Sequence, residues 1–192
     1  MALRFKEAVR ANQSATDVFD ETLAAFLGIN RTDGRCLDVI DRFGKVSAGQ
    51  LANESGLTTG AVTAVIDRLE TAGYVRRVRD PVDRRKVWVE LTDEMRGIIE
   101  RVFGFYMRGG GRIMERFSPG ELQAIMRFLG IGTFLNTEMA AALREHQDRG
   151  ATTPAARLLA ARAFERAMQA NEARLNAEID EMERRYGKGR ED

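Results

Sequence analysis

The feature that most constrains the fold is a change of hydrophobic period between residues 58 and 92. After Thr58 the apolar residues are Val62, Val65, Ile66 and Leu69, spaced three and four apart. At 3.6 residues per turn this spacing lines one side of a helix. Thr58 is the kind of residue whose side-chain oxygen caps a helix start. Gly73 stops the pattern, and the period then falls to two. YVRRVR and KVWVELT are β-rich runs separated by a polar link containing Pro81, which predicts a hairpin. Thr92 stands where it can cap a further helix, with Asp93 and Glu94 favourably placed in its first turn.

The flanking sequence adds helices. Residues 16–29 place Val18, Phe19, Leu23, Phe26 and Leu27 on one helical face. A second helical stretch carries Cys36, Leu37, Ile40 and Phe43 on its apolar side and ends at Gly44. SAGQLANES opens a short third helix, with Ser47 and Gln50 spaced as a capping box and Gly56 as its stop. Beyond the hairpin, a long helix runs to about Phe117, and RGGGR at 108–112 is expected to kink or break it. Each glycine there costs about 1 kcal/mol relative to alanine. FSPGE restarts the helix, with Ser118 as N-cap, Pro119 at N1, Glu121 at N3 and Phe117 stapled onto Leu122. Its apolar residues include Leu122, Ile125, Met126 and Leu129. RGATTP at 149–154 reads as a linker. Phe164, Met168, Leu175, Ile179, Met182 and Tyr186 then predict one amphipathic helix over 155–186, with a frayed GKGRED tail.

Composition excludes several classes. With 44% hydrophobic and 31% charged residues, the chain reads as an ordinary soluble protein rather than a disordered one. No apolar run approaches the roughly 18 residues of a membrane span. The N-terminus lacks the apolar block of a signal peptide, so a cytoplasmic location and no membrane partner are expected. A single Cys36 excludes an internal disulfide and a cysteine-rich zinc site. His146 is the single histidine and reads as a solvated helix residue. No nucleophile–base set, P-loop or metal cluster is present, so no enzyme, no cofactor and no metal are expected.

The order helix, helix, capped short helix, turn, helix, hairpin, helix is that of a winged helix-turn-helix. The fold class expected is mainly α with a small β-hairpin wing. In the helix at 58–72, Val62, Val65, Ile66 and Leu69 point inward, while Thr59, Gly60, Thr63, Ala64 and Asp67 point outward. Small outward residues let a helix sit deep in the major groove of DNA, where Thr can meet a base edge or a thymine methyl. A bland surface helix would show the same face. Charge distribution is compatible with the first reading, and the hairpin that follows favours it. The net charge is only +1, but Arg68 to Lys86 holds seven bases against three acids, whereas Met1 to Gly44 holds six against seven. In DPVDRRKVWVELT, Asp83 is expected to pair with Arg85 and hold it in one orientation for a neighbouring minor groove. Arg84 and Lys86 are then placed to meet phosphates. Val87, Val89 and Leu91 anchor the returning strand.

Residues 46–92 resemble the MarR (multiple antibiotic resistance regulator) family of bacterial transcription factors. The resemblance is carried by QLA, LTTGAVTAVIDRLETAGYVRR and DPVDRRKVWVELT, with the family's Asp-x-Arg wing pattern on Asp83 and Arg85. SPGEL fits the family's dimerisation region, and the likeness extends over roughly 15–145. It implies a homodimer on a double-stranded, pseudo-palindromic operator, usually as a repressor, released by a small-molecule effector or by oxidation. Segments 1–34 and 96–148 then belong to a helical dimerisation region, 35–95 to the winged lobe, and 149–192 to a linker and an extra helix beyond the usual family length.

Expected DNA contacts are Thr58, Thr59, Gly60, Thr63, Ala64, Arg68, Asp83, Arg84, Arg85 and Lys86. Arg68 has a second reading, as a clamp on Asp67 or a helix end. Arg76, Arg77 and Arg79 are open between phosphate contacts and solvated strand residues, and Trp88 between packing on the lobe and supporting the wing. The resemblance places an effector pocket between dimerisation helices and lobe, with Phe19, Phe26, Phe43, Phe103 and Tyr106 as candidates against plain core. Cys36 reads as a small buried hydrophobe rather than an oxidation sensor. The extra helix reads either as an addition to the dimer interface or as a regulatory arm. The competing function is a protein-interaction module that keeps the fold without operator binding.

Overall fold

In the computed structural model, residues 1–147 and 152–187 are described, the side chains of 106–108, 186 and 187 excepted. The elements are α1 (Ala2–Phe26), α2 (Arg31–Phe43), β1 (Lys45–Val46), α3 (Ala48–Ser55), α4 (Thr59–Thr71), β2 (Val75–Arg79), β3 (Val87–Leu91), α5 (Asp93–Met114), α6 (Pro119–Glu145), α7 (Pro154–Ala170) and α8 (Glu172–Gly187). The chain forms two compact units, Met1–Met107 and Arg108–Asp192.

The first unit is a winged helix-turn-helix. Its sheet has the order β1-β3-β2, with Val75 opposite Leu91 and Arg79 opposite Val87 in an antiparallel hairpin. β1 is a two-residue strand beside β3, pairing Val46 with Val89; it is too short for any sequence period to reveal. The core gathers Cys36, Leu37 and Ile40 of α2, Leu51 of α3, Val62, Val65, Ile66 and Leu69 of α4, and Val75, Val89 and Leu91 of the hairpin. The four α4 residues are all essentially buried, each stabilising the fold by roughly 1.5–3 kcal/mol relative to exposure. Phe43 and Val87 depart from expectation: they are 44% and 43% exposed, so of the three apolar residues expected to anchor the returning strand Val89 and Leu91 are buried and Val87 is not.

Polar groups fix the element ends. Asn30 caps α2, accepting from the Asp33 N–H at 2.9 Å. Ser47 accepts from the Gln50 N–H, one limb of the expected box. Gly56 and Gly73 adopt φ of 69° and 78°, a left-handed backbone that other residues enter at a cost, and these turns end α3 and α4. Thr92 caps α5 through the Met95 N–H and donates its hydroxyl to the Gly73 carbonyl at 2.8 Å, tying the hairpin base together.

α5 runs to Met114 without a break, although Gly109, Gly110 and Gly111 lie inside it. The expected break is therefore absent, and the helix stops three residues short of Phe117. α1 is longer than its apolar pattern, because its first fifteen residues contain no helix breaker and helix propensity carries the segment. In the second unit, Ser118 and Glu121 form a complete capping box at the start of α6, with Pro119 in its first turn. Thr153 caps α7 by accepting from the Ala156 N–H, with Pro154 in its first turn but no reciprocal capping box. The expected single helix over 155–186 is two helices. Asn171 ends α7, its amide donating to the Ala167 carbonyl at 2.9 Å, and α8 begins one residue later. α7 and α8 both pack on α6 of the same chain, with Arg174 paired to Glu138. The proposed linker falls partly outside the described residues, and so does the GKGRED tail.

Candidate nucleic-acid interface

Two surfaces of the first unit concern this site: the outward face of α4 and the tip of the hairpin, whose β2 strand packs on α4. α4 begins at Thr58, whose hydroxyl oxygen accepts from the Ala61 N–H at 3.3 Å. Thr59, Gly60, Ala61, Thr63, Ala64 and Asp67 are all exposed, while the opposite side of the helix is core. The Thr63 hydroxyl donates back to the Thr59 carbonyl at 3.1 Å.

The basic residues around α4 separate into two groups. Arg68 does not clamp Asp67. Its Nε and a terminal nitrogen bind the two carboxylate oxygens of Asp33 at 3.0 and 2.6 Å, and Asp33 is buried at 2% exposure. A buried carboxylate needs such a partner, and Arg68 thereby fastens α4 to the start of α2. Asp67 and Glu70 both pair with Arg77 of β2. Arg76 pairs with Glu90 across the hairpin at 2.8 Å. These arginines lock the lobe together. Arg79, Arg84, Arg85 and Lys86 remain exposed, so the positive charge gathers toward the hairpin tip.

The tip is built on Asp80, which the sequence reading passed over. One carboxylate oxygen accepts from the Val82 and Asp83 N–H groups, both at 2.9 Å, and the other from the Trp88 indole at 2.8 Å. The Asp83 N–H, the indole and the Val82 N–H together hold the Asp80 carboxyl down at about 2. The signal was present: an Asp followed by Pro, with backbone donors two and three residues on, is a turn-forming arrangement. The Asp80 N–H also donates to the Lys86 carbonyl at 3.0 Å, and the Lys86 N–H to the Asp83 carbonyl at 2.8 Å. Asp83 accepts from the Arg85 backbone N–H at 3.2 Å and its Nε at 3.3 Å. The Arg85 side chain is nonetheless 92% exposed. Trp88 supports the wing rather than reaching outward, with the Lys45 ammonium 5.3 Å from its ring centre.

A cavity of about 650 Å³ lies between α1, α2 and α5, within the first unit. Phe19 and Phe103 line it, their rings edge to face at 5.8 Å. Phe26 and Phe43 do not: Phe26 is 72% exposed, and Phe43 lies under the Arg42 guanidinium. The side chain of Tyr106 lies outside the described residues. Arg35 lines the cavity and donates to the Ser55 carbonyl at the end of α3 at 2.5 Å. Cys36 is fully buried, and burial pushes its thiol up, so it is protonated at neutral pH and packs as a small apolar group.

A winged lobe with a small-faced second helix and an arginine-bearing wing defines a class of DNA-binding regulators. Comparison with known proteins narrows the class. The sequence profile of the MarR family matches residues 27–86. An uncharacterised HTH-type transcriptional regulator, YcgE of Bacillus subtilis (strain 168), is 36% identical over 115 residues, covering 60% of this chain and 75% of that protein. The crystal structure of Streptococcus pneumoniae FabT in complex with DNA matches 71% of this chain and 99% of its own, with 27% identity and a TM-score of 0.56. A MarR family protein from Bacillus stearothermophilus shares the fold over 72% of this chain and 95% of its own, at 24% identity and a TM-score of 0.51. The chain belongs to the MarR family of transcriptional regulators. Among the described residues, no helix is long and apolar enough to cross a membrane.

Proposed function

We propose that the protein is a homodimeric repressor acting in the cytoplasm, which holds a pseudo-palindromic operator until a small organic effector releases it. The observation that carries this reading is the wing tip, where Asp83 orients an almost fully exposed Arg85, on a hairpin whose β2 strand is tied to the small-faced α4 through Arg77. Arg85 is the minor-groove candidate, Arg84 and Lys86 are phosphate contacts, and Thr58, Thr59, Gly60, Thr63 and Ala64 face the major groove. Arg68 acts indirectly, because its guanidinium holds α4 in place through Asp33. The DNA complex of FabT supports the same use of the fold.

Dimerisation is supported by apolar side chains that one chain leaves uncovered, among them Phe26 on α1 and Met126 and Leu129 on α6. Effector release is supported by the cavity, whose volume falls within the usual range for organic ligands. α2 lines that cavity and also holds α3 through Arg35 and α4 through Asp33, so a ligand that moves α2 moves α4.

The test is selection of bound sequences from random duplex DNA, followed by gel-shift titration. Inverted half-sites about one helical turn apart are expected. Arg85→Ala is expected to weaken binding by about 1–3 kcal/mol, and unchanged affinity would remove the wing from the interface. Affinity should fall steeply with salt; a salt-insensitive association would favour the protein-interaction module instead.

A further inference from the structure

We propose that α4 reads its half-site through methyl groups, selecting thymines rather than the hydrogen-bonding edge of guanine or adenine. The inference rests on α4 being the groove-facing helix and adds the chemistry by which it discriminates.

Bidentate reading of guanine or adenine needs Arg, Lys, Asn or Gln. None of these stands among Thr59, Gly60, Ala61, Thr63 and Ala64, the exposed residues of the first part of α4. The long polar side chains of α4 are Asp67, Arg68 and Glu70, and each is engaged within the lobe. Asp67 and Glu70 share Arg77, and Arg68 holds the buried Asp33 through two hydrogen bonds. The Thr63 hydroxyl is also occupied, donating to the Thr59 carbonyl at 3.1 Å. That side chain is left with its methyl group and acceptor lone pairs, but with no hydrogen to donate to a base. With the Cβ groups of Ala61 and Ala64, α4 therefore offers a methyl-rich strip. In the major groove the one base carrying a methyl group is thymine.

Gly60 supplies an independent observation. It sits in helical backbone, and a Cβ built there would meet nothing within 4 Å. The fold does not need glycine at this position, and alanine is the better helix former. The bare Cα instead lets a groove approach the backbone between the methyl-bearing residues.

The experiment uses the full-length protein and a duplex selected from random DNA. Each half-site thymine is replaced in turn by deoxyuracil, which removes the methyl and leaves every hydrogen-bonding group. Gel-shift affinity should fall about fourfold for each contacted methyl, the effect of burying one such group. Thr63→Val keeps the methyl and should keep the deoxyuracil penalty at its own position, whereas Thr63→Ser should lose affinity and become insensitive to deoxyuracil there. Gly60→Ala should raise the thermal midpoint yet weaken binding. The proposal is overturned if no deoxyuracil alters affinity, or if Thr63→Val loses binding while Thr63→Ser retains it. Selection that enriches no sequence at all would instead overturn the operator reading on which the proposal stands.

Discussion

The lobe around α4 and the helices after Met107 place their apolar residues in opposite ways. In the lobe, Ile40, Leu51, Ile66, Leu69 and Leu91 are buried to within 1% of zero exposure. In the second unit, Ile125, Met126, Phe128, Leu129, Leu158 and Leu159 are exposed, and Leu175 is the one apolar residue counted as buried among those described. A core closed within one chain holds its shape unaided. Helices that leave apolar faces in water need a second surface, and the homodimer proposed above supplies one.

Four measurements break or sharpen that contrast. Leu69→Ala should have the largest effect, a loss of about 2–5 kcal/mol in urea unfolding, because the rigid lobe cannot close around the cavity. A loss well below 1 kcal/mol would mean that the lobe is no better packed than the helices beyond it. Leu175→Ala should cost about 2 kcal/mol, since its surroundings are open enough to relax. Leu129→Glu, at a position 58% exposed, should leave helix content intact but shift the protein toward monomer in sedimentation experiments. An unchanged dimer would place the interface elsewhere.

The smallest effect belongs to the wing and depends on pH. The Asp80 carboxyl is held at about 2, below its ordinary 3.8, by hydrogen bonds that only the native state makes. A group lowered in this way stabilises the fold above its unfolded value, and the benefit fades as pH falls toward the folded one. The stability difference between the parent and Asp80→Asn should therefore be constant from neutral pH to about 4 and shrink toward pH 2. A difference that ignores pH across that window would show that Asp80 does not organise the tip.

The parts of this architecture that were legible in the sequence have local causes. α4 was delimited by Thr58 and Gly73, and its inward face by a period that burial alone imposes. The Ser118 box and Thr92 cap followed from side-chain chemistry at fixed spacing. The Asp83–Arg85 pair was legible for the same reason, as the two residues are neighbours. What escaped was non-local or too short to carry a pattern. β1 has two residues and exists because β3 offers it an edge. Arg68 and Asp33 are separated by 35 positions, so nothing near Arg68 announces its partner. Asn171 interrupts an amphipathic pattern that continues on both sides of it, and only its bond to Ala167 reveals the stop.

The Asp80–Trp88 hydrogen bond has a practical consequence. Trp88 is the chain's single tryptophan, so the protein's indole emission arises wholly from the wing, next to its tip. It lies between a carboxylate and the Lys45 ammonium, two charges whose displacement shifts the energy of an indole excited state. The unlabelled protein thus carries its own optical gauge, in which a change of wavelength on adding duplex reports wing engagement separately from contacts made by α4.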